Sequence, residues 1–264
     1  MGPVRSVFIT GASDGIGAAL ARQYSSRGWT VGLVARRRDR LEALARVLPS
    51  PSTVHAVDVR DDAAMAHAGR EFLERVGVPD VVIANAGVSA GNLTEVEDDL
   101  ETVRWIFDVN VLGLARTFQP FVEPMRQRKH GQLVGIASVA GIRGMPGAGA
   151  YCASKSAAIT YLESLRVELR GSGVGVTTIL PGYVATAMTE KNPYRMPFML
   201  SADEAARRCL KAVDSGRRQV IVPWQMAIVG RVLRLLPPAV FDAIFVRAGR
   251  KPRRRGVELP SERG

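Results

Sequence analysis

Seven short runs of the chain are rich in apolar and β-branched residues: SVFIT, TVGLVAR, STVHAVDV, DVVIANAG, QLVGIAS, GVTTIL and QVIVP. They lack the strict alternation of a half-buried strand. Such runs are expected of strands covered on both faces, as in parallel sheets. Between several of them the apolar residues recur at helical spacing, as in IGAALARQYSSRG, RRDRLEALARVL and RDDAAMAHAGREFLERVG. A longer helical stretch is predicted from about 97 to 128, and another after Tyr151. Strand and helix in alternation predict an α/β fold, a doubly wound parallel sheet of about seven strands. No linker rich in Pro, Gly or Ser interrupts the pattern, and no fixed period repeats. The expectation is one domain over residues 1–222 and a C-terminal helical appendage with a basic tail over residues 223–264.

Composition narrows the class. A chain of 264 residues with 47% hydrophobic residues can bury a substantial core. No apolar leader with a cleavage site opens the chain, and no uncharged apolar run is long enough to span a bilayer. The expected location is cytoplasmic, with peripheral membrane contact as a further possibility. Cys152 and Cys209 form no metal or disulfide pattern, so no metal is expected. The net charge of +11 is concentrated in part at the end, in Arg247, Arg250, Lys251, Arg253, Arg254 and Arg255. No aromatic residue interleaves these cations, and no nucleic acid is expected as a partner. The run reads first as a solvated, unstructured end.

The candidate chemistry sits at strand ends. The first strand runs into TGASDGIG, with Gly11, Ser13, Gly15, Ile16 and Gly17 in a turn that opens a helix. Such a turn lets backbone approach a pyrophosphate and aims a helix N-terminus at it. The second strand ends at Arg36 and Arg37 rather than at an acidic residue. A guanidinium grips a 2′-phosphate, so the cofactor expected is NADP(H) in preference to NAD(H). Asp14, in the same turn, weighs weakly the other way. Asp58 and Val59 follow the third strand and could face an adenine, or could serve as a cap or turn. Asn85, Ala86 and Gly87 close the fourth strand, where such sheets bind ligands. Further on, YCASK places Tyr151 and Lys155 on one helical face. A phenol titrates near pH 10, and a nearby ammonium would lower that value.

Taken together, TGASDGIG, NAG, the Asn of FDVNVLG, the Ser of GIASVAG, YCASK and PGYVAT resemble, in order, the short-chain dehydrogenase/reductase family over residues 4–222. The resemblance implies a Rossmann-type fold, a nicotinamide cofactor and a catalytic tetrad of Asn110, Ser138, Tyr151 and Lys155. It implies that Asn110 holds a water in a relay to the lysine. It adds Pro181, Gly182, Val184 and Thr186 to the cofactor contacts, with Tyr151 and Lys155 shared between cofactor and chemistry. The implied activity is interconversion of a carbonyl and an alcohol on a small, lipophilic molecule, with Tyr151 as general acid/base. A non-catalytic NADP-binding or membrane-surface adaptor is the alternative, which an intact tetrad disfavours. The segment after PGYVAT, rich in Met, Pro and aromatics, is where the family covers its substrate. A homodimer or homotetramer through the helices around Trp105 and Tyr161 is implied as well. The chain departs from many members at its end. There, PWQMAIVGRVLRLLPPAVFDAIF predicts a helical hairpin that packs, dimerises, covers the substrate mouth or meets lipid, a subunit or packing surface being the favoured outcome.

Overall fold

A computed structural model of the chain describes residues 5–190 and 192–253. Among these, all seven apolar runs form strands: β1 (Ser6–Thr10), β2 (Thr30–Ala35), β3 (Ser52–Ala56), β4 (Val81–Ala84), β5 (Gly131–Ile136), β6 (Val174–Pro181) and β7 (Gln219–Val222). They make one sheet in the order β3-β2-β1-β4-β5-β6-β7, parallel at every pairing. Every residue of β1, β2 and β4 is buried, whereas the edge strands β3 and β7 are only partly covered. Two covered faces leave no place for polar alternation, which explains the pattern of the sequence.

The helices are α1 (Gly15–Ser25), α2 (Arg38–Val47), α3 (Asp62–Arg75), α4 (Asp99–Phe107), α5 (Gly113–Arg128), α6 (Gly149–Glu168), α7 (Ala187–Glu190), α8 (Ala202–Asp214), α9 (Gln225–Leu235) and α10 (Pro238–Phe245). Leu20 and Tyr24 of α1, Leu41 of α2 and Leu210 of α8 cover one face of the sheet. Phe72 of α3, Phe118 and Phe121 of α5 and Leu162 of α6 cover the other. On that second face Phe8 lies between two rings, with centroids 5.2 Å from Phe72 and 4.8 Å from Phe121. Helix α8 was not foreseen, although Ser201 and Glu204 carry its signal. The Ser201 hydroxyl accepts a hydrogen bond from the Glu204 N–H at 3.2 Å and caps the helix. The long helix expected over 97–128 is broken by a π-helical turn, Asp108–Leu112, between α4 and α5. Such turns shift the side chains that follow and recur at functional sites.

The C-terminal hairpin forms and packs. Helices α9 and α10 dock beside the turn after β5. There Arg143 donates to the carbonyls of Leu233 (2.5 Å) and Leu236 (2.7 Å) and lies over the Phe241 ring at 4.1 Å. Trp224, Ile228, Val232, Leu235, Val240 and Ile244 remain exposed. Among the described residues no helix is long and apolar enough to cross a membrane.

The basic run departs from the expectation of a solvated end. The Arg253 guanidinium donates two hydrogen bonds to Asp99, at 2.8 and 3.0 Å, and the Asp99 side chain is 3% exposed. The Gly91 N–H donates to the Pro252 carbonyl at 2.8 Å. An internal acid and a backbone bridge therefore hold the chain where composition alone predicts disorder. Arg254 and Arg255 lie outside the described residues.

Candidate active site

The strand order reverses between β1 and β4, and a crevice of about 340 Å³ opens beyond their C-terminal ends. At the first turn Gly11 has φ +69°, and a Cβ on Gly17 would come within 2.2 Å of the Gly11 carbonyl. Neither position accepts a side chain, so α1 begins flush against the turn. Asn85 holds the turn from below: its amide donates to the carbonyls of Thr10 (3.0 Å) and Gly11 (3.3 Å). Asp14 caps α1 by accepting from the Gly15 N–H at 2.7 Å. Its other oxygen faces Arg37 at 3.6 Å and Arg40 at 3.4 Å. The carboxylate that weighs against an anionic ligand in the sequence is thus engaged by a cap and two guanidiniums.

At the end of β2 both predicted arginines line the crevice. Arg37 donates to the Ser13 hydroxyl at 2.9 Å, tying the second strand's tip to the first turn. Arg36 is largely exposed and 3.9 Å from Asp58. Asp58 itself pairs with Arg60 at 2.8 Å, and these bonds hold its carboxyl below the usual range despite partial burial.

At the far end, Ser138, Tyr151 and Lys155 converge from β5 and α6. Lys155 is 5% exposed and donates to the Ile136 carbonyl at 3.0 Å. Burial pushes its pKa down to about 8. Its Nζ lies 6.0 Å from the Tyr151 ring centroid. Burial also raises the phenol of Tyr151, and the Ser138 hydroxyl opposes that rise by hydrogen bonding. The expected lowering of the phenol by Lys155 is therefore not seen in this arrangement, because the ammonium is turned to Ile136 and is itself desolvated.

Of the predicted residues, Gly11, Ser13, Gly15, Ile16, Arg36, Arg37, Asp58, Val59, Asn85, Ala86, Gly87, Ser138, Tyr151, Lys155, Pro181, Gly182, Val184 and Thr186 line the crevice. Gly17 and Asn110 lie behind it. Asn110 sits in the π-helical turn, 2% exposed. Its carbonyl accepts from the Val88 N–H at 2.8 Å, and its amide donates to the Val88 carbonyl and the Ser154 hydroxyl, each at 3.0 Å. Its side chain thus braces the loop after β4. Ser154, the small polar residue inside YCASK, was not singled out, nor was Thr10, whose hydroxyl accepts from the Asn85 N–H at 3.2 Å. Both are partners of predicted residues, visible only once strands and helices are assembled. Lys251 was seen only as a tail charge; its Nζ lies 5.2 Å from the Tyr151 ring centroid.

Comparison with known proteins agrees with this geometry. The sequence model described as short chain dehydrogenase matches residues 5–196. The chain belongs to this family. An uncharacterized oxidoreductase of Myxococcus xanthus is 40% identical over 244 residues, spanning 90% of this chain and 95% of that one. An 11-beta-hydroxysteroid dehydrogenase-like protein of Arabidopsis thaliana is 32% identical, over 91% of this chain and 81% of that one. An alcohol dehydrogenase from the archaeon Thermococcus sibiricus, solved with 5-hydroxy-NADP, superposes with a TM-score of 0.73 at 28% identity, over 83% of this chain and 96% of that chain. The protein is an oxidoreductase of the short-chain dehydrogenase type, on a fold that binds a nicotinamide cofactor.

The buried ammonium has a testable cost. A shift from 10.5 to about 8 corresponds to about 3 kcal/mol of instability at neutral pH. In Lys155→Met that penalty disappears, offset by about 1–3 kcal/mol for leaving the Ile136 carbonyl unpaired. The variant should therefore denature in urea at a midpoint equal to or above the parent's. Between pH 8 and about 10 the unfolded lysine holds more protons than the folded one, so the parent should gain stability relative to the variant as pH rises. A variant that is markedly less stable at neutral pH would show that the ammonium is a net structural support.

Proposed function

We propose that the protein is an NADP(H)-dependent oxidoreductase that interconverts a carbonyl and an alcohol, with Tyr151 as the general acid/base. The observation that carries this reading is the convergence of Ser138, Tyr151 and the buried Lys155 at one end of a crevice whose other end is the glycine turn. The residues present fit a dinucleotide. The turn at Gly11 and Gly17 has no room for a Cβ, α1 presents its N-terminus there, and Arg36 and Arg37 stand at the β2 tip. Gly11, Ser13, Gly15 and Ile16 would hold the pyrophosphate, Arg36 and Arg37 the 2′-phosphate, and Asp58 and Val59 the adenine. Asn85, Ala86 and Gly87 would form the floor, while Pro181, Gly182, Val184 and Thr186 would meet the nicotinamide. The bound cofactor supplies or accepts the hydride.

The rest belongs to the chain. In the reducing direction Ser138 and Tyr151 donate hydrogen bonds to the substrate carbonyl oxygen, and the Tyr151 O–H proton passes to that oxygen as negative charge develops. Raising the phenol by burial keeps it protonated and ready to donate. Lys155, its Nζ 6.0 Å from the ring centroid, would stabilise the phenolate left behind once its ammonium turns from the Ile136 carbonyl toward the phenol oxygen. Asn110 acts as a positioning residue through the Val88 backbone, and Ser154 through Asn110 and the Tyr151 carbonyl. The exposed Met188, Phe198 and Met199 in the segment after β6 suit a substrate with apolar surface. The exposed stripe of α9 and α10 fits a subunit contact, in keeping with a homo-oligomer.

Two measurements test the reading. Arg36 and Arg37 should make NADPH bind more tightly than NADH by about 1.5–3 kcal/mol, the scale of charged hydrogen bonds. Arg36→Asp should erase or invert that difference, and equal binding of both cofactors by the parent protein would refute the assignment. Tyr151→Phe should keep NADPH binding, followed by fluorescence, while turnover of a carbonyl panel falls at least about a hundredfold. Near-normal turnover in this variant would remove Tyr151 from the mechanism.

A further inference from the structure

The C-terminal strap of residues 249–253 runs past Tyr151, at the end of the crevice away from the glycine turn. Gly249 lies against Tyr194, where a Cβ would come 3.3 Å from that side chain. Arg250 packs on Gly147, whose Cβ would meet it at 3.1 Å. Lys251 and Pro252 run over Gly91, where a Cβ would come within 2.1 Å of the Lys251 carbonyl. Arg253 then locks into the buried Asp99. The strap therefore touches the segment after β6, the loop before α6 and the loop after β4, the three segments that flank Tyr151.

This path delivers one side chain inward. The Lys251 ammonium sits over the Tyr151 ring, 5.2 Å from its centroid. It is only partly exposed. Among the described residues no carboxylate is paired with it. Its neighbour differs: Arg253, two residues on, pairs with Asp99, whereas Lys251 has no acid partner among the described residues. Loss of water lowers the Lys251 pKa, as expected of a cation in a dry place without a counter-ion. The phenol beside it is itself raised by burial, so it does not act as that counter-ion.

We propose that Lys251 is the anchor for a carboxylate on the substrate, so that the preferred substrates are oxo acids, and the matching hydroxy acids, with an apolar body. The proposal rests on Tyr151 being the reaction centre. A carboxylate would supply the missing partner, and an ammonium at this position would orient the carbonyl toward Ser138 and Tyr151. The aromatic pair of Tyr183 and Tyr194, with ring centroids 6.4 Å apart and Gly249 against Tyr194, suits the body of the molecule, and the cation suits one end.

The test uses a matched rigid pair, 4-formylbenzoate and its methyl ester, with the full-length protein and NADPH. The parent protein should favour the carboxylate in kcat/KM. In Lys251→Gln the carboxylate-to-ester ratio should fall at least about tenfold, through KM, which is the low end for a charged hydrogen bond. Lys251→Arg should retain most of it. Arg253→Gln, which frees the strap without touching Lys251, should move the ratio the same way. Binding of unreactive 4-methylbenzoate, measured by calorimetry, gives a readout without turnover and should weaken in Lys251→Gln. If neither aldehyde is reduced while 4-methylbenzoate still binds through Lys251, the anchor stands and the catalytic reading falls. If the ratio and the binding are unchanged in Lys251→Gln, or the parent protein does not bind 4-methylbenzoate, the proposal is overturned.

Discussion

A single buried ammonium sets the terms for the site. Lys155 lies 5% exposed at the point where α6 meets the end of β5, with the Ile136 carbonyl 3.0 Å away. Water is excluded there, so the charged form is disfavoured and the pKa falls to about 8. Holding such a group in place requires a rigid frame, and the two apolar layers around the sheet provide one. Phe8, Phe72 and Phe121 close one layer around β1, while Leu20, Tyr24 and Leu210 close the other. The core thus does more than stabilise the sheet. It holds α6 where a costly charge and the Tyr151 phenol stay close, which is a common compromise at functional sites.

The fold was legible because parallel strands leave a simple trace. Strands β1, β2 and β4 are buried throughout, and their runs are apolar throughout. Most of the crevice was legible for a related reason. Its residues sit at the ends of strands, where short motifs keep their local spacing. What escaped was built from distant parts of the chain. Asn110 is named by the family resemblance as the holder of a water, but its place in a π-helical turn and its bonds to the Val88 backbone are not visible in the sequence. Helix α8 carried a capping signal at Ser201 and Glu204 that the apolar pattern overshadowed. The basic end was read from composition as solvated, and composition cannot show that Asp99 waits for Arg253 across the fold.

The two ends of the crevice follow opposite electrostatic designs. At the glycine-turn end the charges are paired and solvated: Asp14 with Arg37 and Arg40, and Asp58 with Arg60. Such pairs are adjustable and contribute little to stability. At the Tyr151 end Lys155 and Lys251 approach the same phenol ring, at 6.0 and 5.2 Å, in partly or fully dry surroundings. Charge there is concentrated and largely unscreened, so it acts strongly on whatever binds.

Transfer of hydrogen from the cofactor to a carbonyl carbon tests this account most directly. NADPH carrying deuterium at both nicotinamide C4 positions can be incubated with the protein and a panel of aldehydes and ketones, and the products read by mass spectrometry. An alcohol with one deuterium on the carbinol carbon is the expected product. Binding of NADPH with no labelled alcohol from any carbonyl in the panel would contradict it.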